Sequence, residues 1–146
     1  MANLTAGRDD KRQEGDLIDA PFGNNTIYAG ALVCVDASGN AVTGDNAKQF
    51  LGVAMENTAN ARADGRNYIR IWTKGEFEFN MTSAAATDLG KVVIVGADDN
   101  TVAAATEASS LASTTLTPAT AYGKIVGKIV AVTDVANGKV RVRLGL

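Results

Sequence analysis

Residues 29–42 read AGALVCVDASGNAV, and residues 89–102 read LGKVVIVGADDNTV. Both stretches run from a glycine through a short apolar segment, then through a turn rich in Gly, Asn and Asp, and into a second short apolar segment. A short apolar run that is bounded by turn residues predicts a buried β-strand. Because the pattern occurs twice, we predict two similar halves built on the same series of strands.

The similarity extends beyond these two stretches. The segment 51–54, with Gly52 in it, is matched by 126–129, with Gly127 in it. A glycine inside an apolar strand predicts a bulge or a sharp coil at that point of the sheet.

A third pair of segments, 64–71 and 137–144, completes the match. Each begins with a hairpin-turn pair, Asp-Gly or Asn-Gly, and continues into a strand with an arginine between apolar residues. We therefore predict pseudo-repeats at about 29–80 and 89–146, with an insertion at about 101–122 in the second.

Short apolar runs separated by turn residues predict an all-β fold. The predicted strands are 26–28, 32–36, 41–43, 50–56, 68–73, 76–80, 91–95, 102–105, 125–132 and 140–144. A few short strands cannot bury their apolar face alone, so we expect the two halves to close into a compact β-barrel or β-sandwich. The Ala-rich segments 83–89 and 106–112 could each form a helical turn.

The first 26 residues differ from the rest of the chain. They are polar and have neither helical nor strand periodicity, apart from the pair Leu17 and Ile18. This composition predicts an extended N-terminal arm over residues 1–26 that orders only against a partner, followed by a β domain over 27–146. We expect a chain without residues 1–25 to keep a folded core.

The composition removes most catalytic and ligand-binding classes. The 146 residues include no His and one Cys, which excludes Ser-His and Cys-His catalysis and most zinc sites. The net charge of −2 provides no basic patch for nucleic acid, and no apolar run is long enough to cross a bilayer. The start of the chain has no secretory leader, so we predict that it folds in a cytoplasm. We expect a protein that is not an enzyme and that needs no cofactor.

Three smaller features have a structural interpretation that we favour. Glu76 and Glu78 could form an acid pair, but Phe77 and Phe79 alternate with them as in a strand with one wet face. The run 98–100, Asp-Asp-Asn, lacks the spaced ligands of a calcium loop and is typical of a turn. Cys34 lies in an apolar run and is predicted to be a buried core residue.

The repeat resembles a family of small bacteriophage head proteins, the capsid decoration or cement proteins. The segments that carry the resemblance are 29–33, 50–54, 69–77, 89–93, 127–129 and 140–144. The resemblance implies a small β-barrel or β-sandwich protein, often a homotrimer, that sits on the outside of the virion at three-fold positions. It implies that the chain binds the major capsid protein and clamps neighbouring capsomers of the expanded head, after assembly in the host cytoplasm.

The arm is the expected contact with the capsid or with a neighbouring subunit. The predicted contact residues are the mixed-charge cluster and the apolar residues of the arm: Arg8, Asp9, Asp10, Lys11, Arg12, Leu17, Ile18 and Phe22. Two alternatives remain open, namely a phage tail or fibre subunit and a carbohydrate-binding module displayed on the virion. The first would differ in copy number and location on the particle, and the second needs an exposed aromatic cluster.

Overall fold

The computed structural model describes residues 16–58, 67–105 and 123–145, and this part of the chain forms two antiparallel sheets of five strands each. The strands are β1 (Leu17–Pro21), β2 (Leu32–Val35), β3 (Ala41–Thr43), β4 (Gln49–Ala54), β5 (Tyr68–Trp72), β6 (Glu76–Asn80), β7 (Val92–Val95), β8 (Val102–Ala104), β9 (Ile125–Asp134) and β10 (Lys139–Leu144). The predicted all-β class, with two sheets packed as a compact sandwich, is confirmed.

The two sheets have the same connectivity. The first sheet has the strand order β1-β5-β4-β2-β3 and the second has the order β6-β10-β9-β7-β8, so each strand of the first sheet has a counterpart five places later. All strand pairs of a sheet lie within one half of the chain. Each half therefore forms one complete sheet, and we call β1–β5 the first repeat and β6–β10 the second repeat.

The register is also shared, down to a bulge. Val33 lies opposite Gly52 in the first sheet, and Val93 lies opposite Gly127 in the second. In both sheets the pairing then skips the residue that precedes the glycine. The bulges predicted at the two glycines are thus found at the adjoining residue, where they sharpen the local twist of the sheet.

The repeats begin earlier than the sequence pattern predicts. β1 pairs with β5 in the same way as β6 pairs with β10. The residue that follows each of these strands makes an equivalent bond, from Phe22 N to Asn67 O at 3.0 Å and from Met81 N to Gly138 O at 2.8 Å. The segment 76–80 therefore belongs to the second repeat and not to the first.

This pairing corrects the predicted arm boundary at residue 26. Leu17–Pro21 is an edge strand of the first sheet, and the residues after it pack on the core, with Phe22 5% exposed and Ile27 fully buried. The predicted strand at 26–28 is wrong, because this segment is a loop that covers the sheet. Deleting residues 1–25 would remove β1 and, with Ala20 and Phe22, part of the core, so we now expect such a chain to be destabilised.

Each sheet has an inner face, which carries Val33 in the first repeat and Val93 in the second, and an outer face on the opposite side. The inner face of the first sheet forms one core cluster, made of Ala20, Phe22, Ile27, Ala31, Val33, Ala41, Ala54, Ile69 and Ile71. A second cluster contains the inner face of the second sheet together with three residues from the outer face of the first: Leu32, Cys34 and Val53. The two repeats are therefore held together by the outer face of the first sheet.

The remaining predictions have mixed outcomes. Cys34 is fully buried, as predicted. The segment 83–89 contains one turn of 3-10 helix, Ala86–Asp88, whereas 106–112 lies outside the described residues. The register aligns Arg70 with Arg141, which corrects the sequence alignment that paired it with Arg143.

Candidate interaction surface

Exposed charged residues form a row across the outer faces of β1 and β5 and of β6 and β10. In the first repeat, Arg70 Nε donates to Asp19 Oδ1 at 3.3 Å. In the second, Arg143 donates to Glu76 Oε1 from Nη2 at 2.6 Å and from Nε at 3.1 Å. These pairs follow from the strand pattern, because alternate residues of an edge strand point to one face and meet their cross-strand neighbours there.

One acid–arginine position of the row is shared by both repeats, whereas Leu17 and Trp72 stand where the second repeat has Glu76 and Arg143. Glu78 lies opposite Arg141 in the second repeat, as Asp19 lies opposite Arg70 in the first. The Glu78 carboxylate also accepts a hydrogen bond from Thr133 Oγ1 at 2.9 Å. Exposed ion pairs of this kind contribute little to the stability of a fold, typically about 0–1 kcal/mol. Their effect is to give each repeat a patterned polar surface, which we call the charged row.

Glu76 and Glu78 follow the predicted pattern of a strand with one wet face. Both glutamates are exposed, whereas Phe77 is half-buried and Phe79 is 2% exposed. Each carboxylate has its own partner, Arg143 on the neighbouring strand β10 for Glu76 and Thr133 on β9, one strand further, for Glu78. They therefore serve as two separate members of the charged row.

The run 98–100 forms the predicted turn. Asp98 Oδ1 accepts a hydrogen bond from the Asn100 backbone NH at 2.9 Å. The hydrogen bond from the Thr101 side chain, and then the one from the Asn100 NH, hold the pKa of Asp98 below its usual value. Among the described residues, no three Cys, Asp or Glu side chains are grouped so that they could bind a metal ion.

In the part of the chain that the structure describes, one acidic residue is buried, and its contacts are local. Asp88 is 5% exposed, and its Oδ2 accepts a hydrogen bond from the Ala85 NH at 2.8 Å. Its Oδ1 pairs with Lys91 Nζ at 2.7 Å. The contact with Lys91, and then the one with Ala85, lower the pKa of Asp88, so the carboxylate stays charged and holds the turn before β7.

A cleft of about 380 Å³ opens at the junction of the two repeats. The first repeat lines it with Tyr28 and the residues up to Ala31, and the second with Glu78, Asp99 and Asn100. Tyr28 is 65% exposed. The cleft thus combines an open aromatic ring with carboxylate and amide groups. Sequence reasoning did not find this cleft, because Tyr28 and Asp99 are far apart in the chain and meet only through the packing of the repeats.

The predicted contact residues of the arm fall into two groups. Arg8, Asp9, Asp10, Lys11 and Arg12 lie outside the described residues. Leu17 and Ile18 are half-buried in β1, where Leu17 lies opposite Trp72 and Ile18 packs against the first core cluster. Phe22 also belongs to that core. Packing within the chain therefore explains its apolar side chain, and no contact with another protein is needed to explain it.

Comparison with protein-family models finds no match, and comparison with curated proteins finds none either. In the described ranges, no helix has both the length and the apolar character needed to cross a membrane.

Proposed function

We propose that this chain is a structural virion protein that binds the outer surface of a phage capsid and stabilises the expanded head by bridging capsomers. The observation that carries the proposal is the duplicated body, in which an exposed acid faces an exposed arginine at the same position of both repeats, Asp19 with Arg70 and Glu78 with Arg141. A protein with two copies of one surface can engage two neighbouring sites at once, and the second contact is then effectively intramolecular. Bridging of this kind resists the separation of capsomers without requiring a large footprint on either one.

The resemblance described above supports the same proposal and implies the partners. These are the major capsid protein and further copies of this chain, with a homotrimer as the expected form. Neither nucleic acid nor membrane is expected as a partner. The arm adds a further contact in this proposal, but its boundary moves to residue 15, because β1 belongs to the body.

The direct test is binding to phage heads. Heads that lack the protein would be prepared from a phage that encodes it, in expanded and unexpanded forms, and mixed with the full chain. We expect saturable co-sedimentation with expanded heads at a fixed copy number, and slower release of DNA on heating. A lack of saturable binding to either form would refute the proposal.

Two variants locate the contact. The double variant Arg70→Glu and Arg141→Glu reverses the same position of the charged row in both repeats, and we expect weaker and less salt-dependent binding. Lys48→Glu is the matched control, because Lys48 is an exposed lysine that pairs with Asp45 away from the row. Deleting residues 1–15 tests the arm while leaving β1 in place. Unchanged binding of the truncated chain would remove the arm from the proposal.

The cleft at Tyr28 favours a second candidate, a carbohydrate-binding module displayed on the virion. An exposed tyrosine offers an apolar ring face with a polar end, and Glu78, Asp99 and Asn100 offer hydrogen-bonding groups beside it. A glycan array probed with the full chain and with Tyr28→Ala would test this. Binding that is lost in the variant would support the candidate, whereas no binding by the full chain would exclude the glycans tested.

A further inference from the structure

The two repeats bury their outer faces unequally. In the first sheet the outer-face residues Leu32, Cys34 and Val53 are all 0% exposed, because they pack into the core cluster of the second repeat. The shared register assigns their counterparts in the second sheet as Val92, Ile94 and Lys128. Val92 and Ile94 are only half-buried and Lys128 is exposed. Among the described residues, the same face is thus fully buried at these positions in the first repeat and partly exposed in the second, where we call it the open face.

The open face contains a continuous apolar strip. Ala103 on β8 lies opposite Ile94 on β7, which in turn lies opposite Ile125 on β9. These three residues and Val92 are half-buried. They form what we call the apolar strip, across three adjacent strands. Because these side chains are apolar and still partly exposed, they can bury their remaining area against another protein surface.

The structure also shows what covers such a face. Within the chain, the second repeat covers the first with Val95 and the turn 96–100, and Leu32 N donates to Asp99 O at 2.7 Å. Val95 is packed so closely that its Cγ1 would lie 3.1 Å from a Cβ placed on Gly44. We call Val95 and this turn the covering surface of the second repeat.

The first repeat has the counterpart of the covering surface, and this counterpart is partly exposed in the described structure. Val35 ends β2 as Val95 ends β7, and the five-residue turn 36–40 stands where the second repeat has the six-residue turn 96–101. The bond from Asp36 N to Asn40 O, at 2.9 Å, matches the bond from Gly96 N to Thr101 O, at 2.7 Å. Val95 is 2% exposed, whereas Val35 is half-buried and most of the turn after it is exposed. Within the described ranges, one copy of the chain therefore has one partly exposed surface of each kind.

We propose that a second copy of this chain covers the apolar strip with its Val35 and turn 36–40. The contact between copies would repeat the contact that the two repeats make within one copy. It joins two different surfaces, so the association is head-to-tail and continues from copy to copy until a ring closes. Lys128 stands in the open face where the first repeat has Val53. This inference does not depend on what the assembled protein binds.

The test uses the full chain and two variants, and the measurement is mass in solution over a range of concentrations. Ile94→Arg places a charge in the strip, and Val35→Arg places one in the covering surface of the first repeat. We expect the unmodified chain to associate, and each variant alone to associate at least about tenfold more weakly, because the contact would bury an unpaired charge. An equimolar mixture of the two variants should form a dimer and nothing larger, since each variant supplies the one surface that the other lacks.

The test includes one control variant with a charge added elsewhere on the surface. Val135→Arg changes an exposed residue after β9 and should associate like the unmodified chain. Each variant is checked by circular dichroism, and Ala103→Arg on the edge strand β8 replaces Ile94→Arg if the latter does not fold. A chain that stays monomeric at its highest soluble concentration would overturn the proposal. Variants that associate like the unmodified chain would also overturn it. So would folded variants whose mixture gives no dimer, which is the result expected if two copies pair strip to strip about a two-fold axis.

Discussion

Among glycine-to-alanine substitutions in the two sheets, Gly127→Ala should destabilise the protein most. A Cβ at this position would lie 1.9 Å from the carbonyl oxygen of Arg143 and 3.1 Å from the Cα of Leu144. Its counterpart Gly52 is nearly as crowded, with Trp72 O at 2.2 Å. In both repeats the glycine lets two neighbouring strands approach at the bulge, and no side chain fits between them.

The magnitude follows from the displacement. Real Cβ atoms essentially never come closer than 3.0 Å to such an atom, so the Arg143 carbonyl must move by about 1 Å. Overpacking of this kind costs about 1–3 kcal/mol, and each ladder hydrogen bond stretched out of range costs about 1 kcal/mol more. Alanine has fewer conformations than glycine in the unfolded chain, and this difference stabilises the folded state by about 0.4–1 kcal/mol. We expect a net loss of about 2–4 kcal/mol in the free energy of unfolding.

The measurement is urea unfolding followed by the fluorescence of Trp72, the only tryptophan, at several protein concentrations so that any association is accounted for. Gly39→Ala is the control, because Gly39 has a φ of +80° but no atom within 4 Å of its Cβ position. That substitution should cost about 1 kcal/mol, from backbone strain alone. If Gly127→Ala lowers the urea midpoint no more than Gly39→Ala, then close strand approach at the bulge does not explain the glycine.

Three further predictions concern the core, acid stability and the thiol. Phe22→Ala should lower the free energy of unfolding, measured in urea, by about 3–5 kcal/mol. Deleting residues 1–15 should leave the urea midpoint unchanged. A large effect of this deletion would show that the folded body begins before residue 16. Because Lys91 lowers the pKa of Asp88 in the folded state, the stability from this carboxylate is present above its ordinary pKa of about 3.9 and lost as the pH falls through the lower folded value. The urea midpoint of Asp88→Asn should therefore fall less steeply below about pH 4 than that of the unmodified protein. An equally steep fall in both proteins would contradict this. Burial raises the pKa of Cys34, so a thiol reagent at pH 8 should label the protein only after unfolding, and rapid labelling of the folded protein would show that the site opens.

Much of the fold follows from strand periodicity and turn chemistry. The alternation in Glu76–Asn80 and the apolar run in Val92–Val95 each predict the observed strand. β1 was missed because Asp19, Ala20 and Pro21 all have low strand propensity. An edge strand tolerates them, since one of its sides forms no ladder bonds and proline needs no donor there. The signal that could have found β1 is the repeat itself, because β6 precedes β7 and requires a counterpart before β2.

The relation between the two sheets could not be predicted from the pattern. The segments Leu32–Val35 and Val92–Val95 are equally apolar, yet only the first has both faces buried. Which outer face becomes covered depends on how the completed sheets pack, and this is a long-range contact that no local pattern encodes. The cleft at Tyr28 arises from the same packing and was hidden for the same reason.

The completeness of each sheet within one half of the chain has a consequence for synthesis on the ribosome. The first half contains every strand of its own sheet and can pair them as soon as β5 has emerged. Until β6–β10 are made, however, that sheet leaves Leu32, Cys34 and Val53 in water. The nascent protein therefore passes through a stage in which this apolar face is exposed. Slow translation of the second half would lengthen the time in which chaperones or neighbouring nascent chains can bind the face.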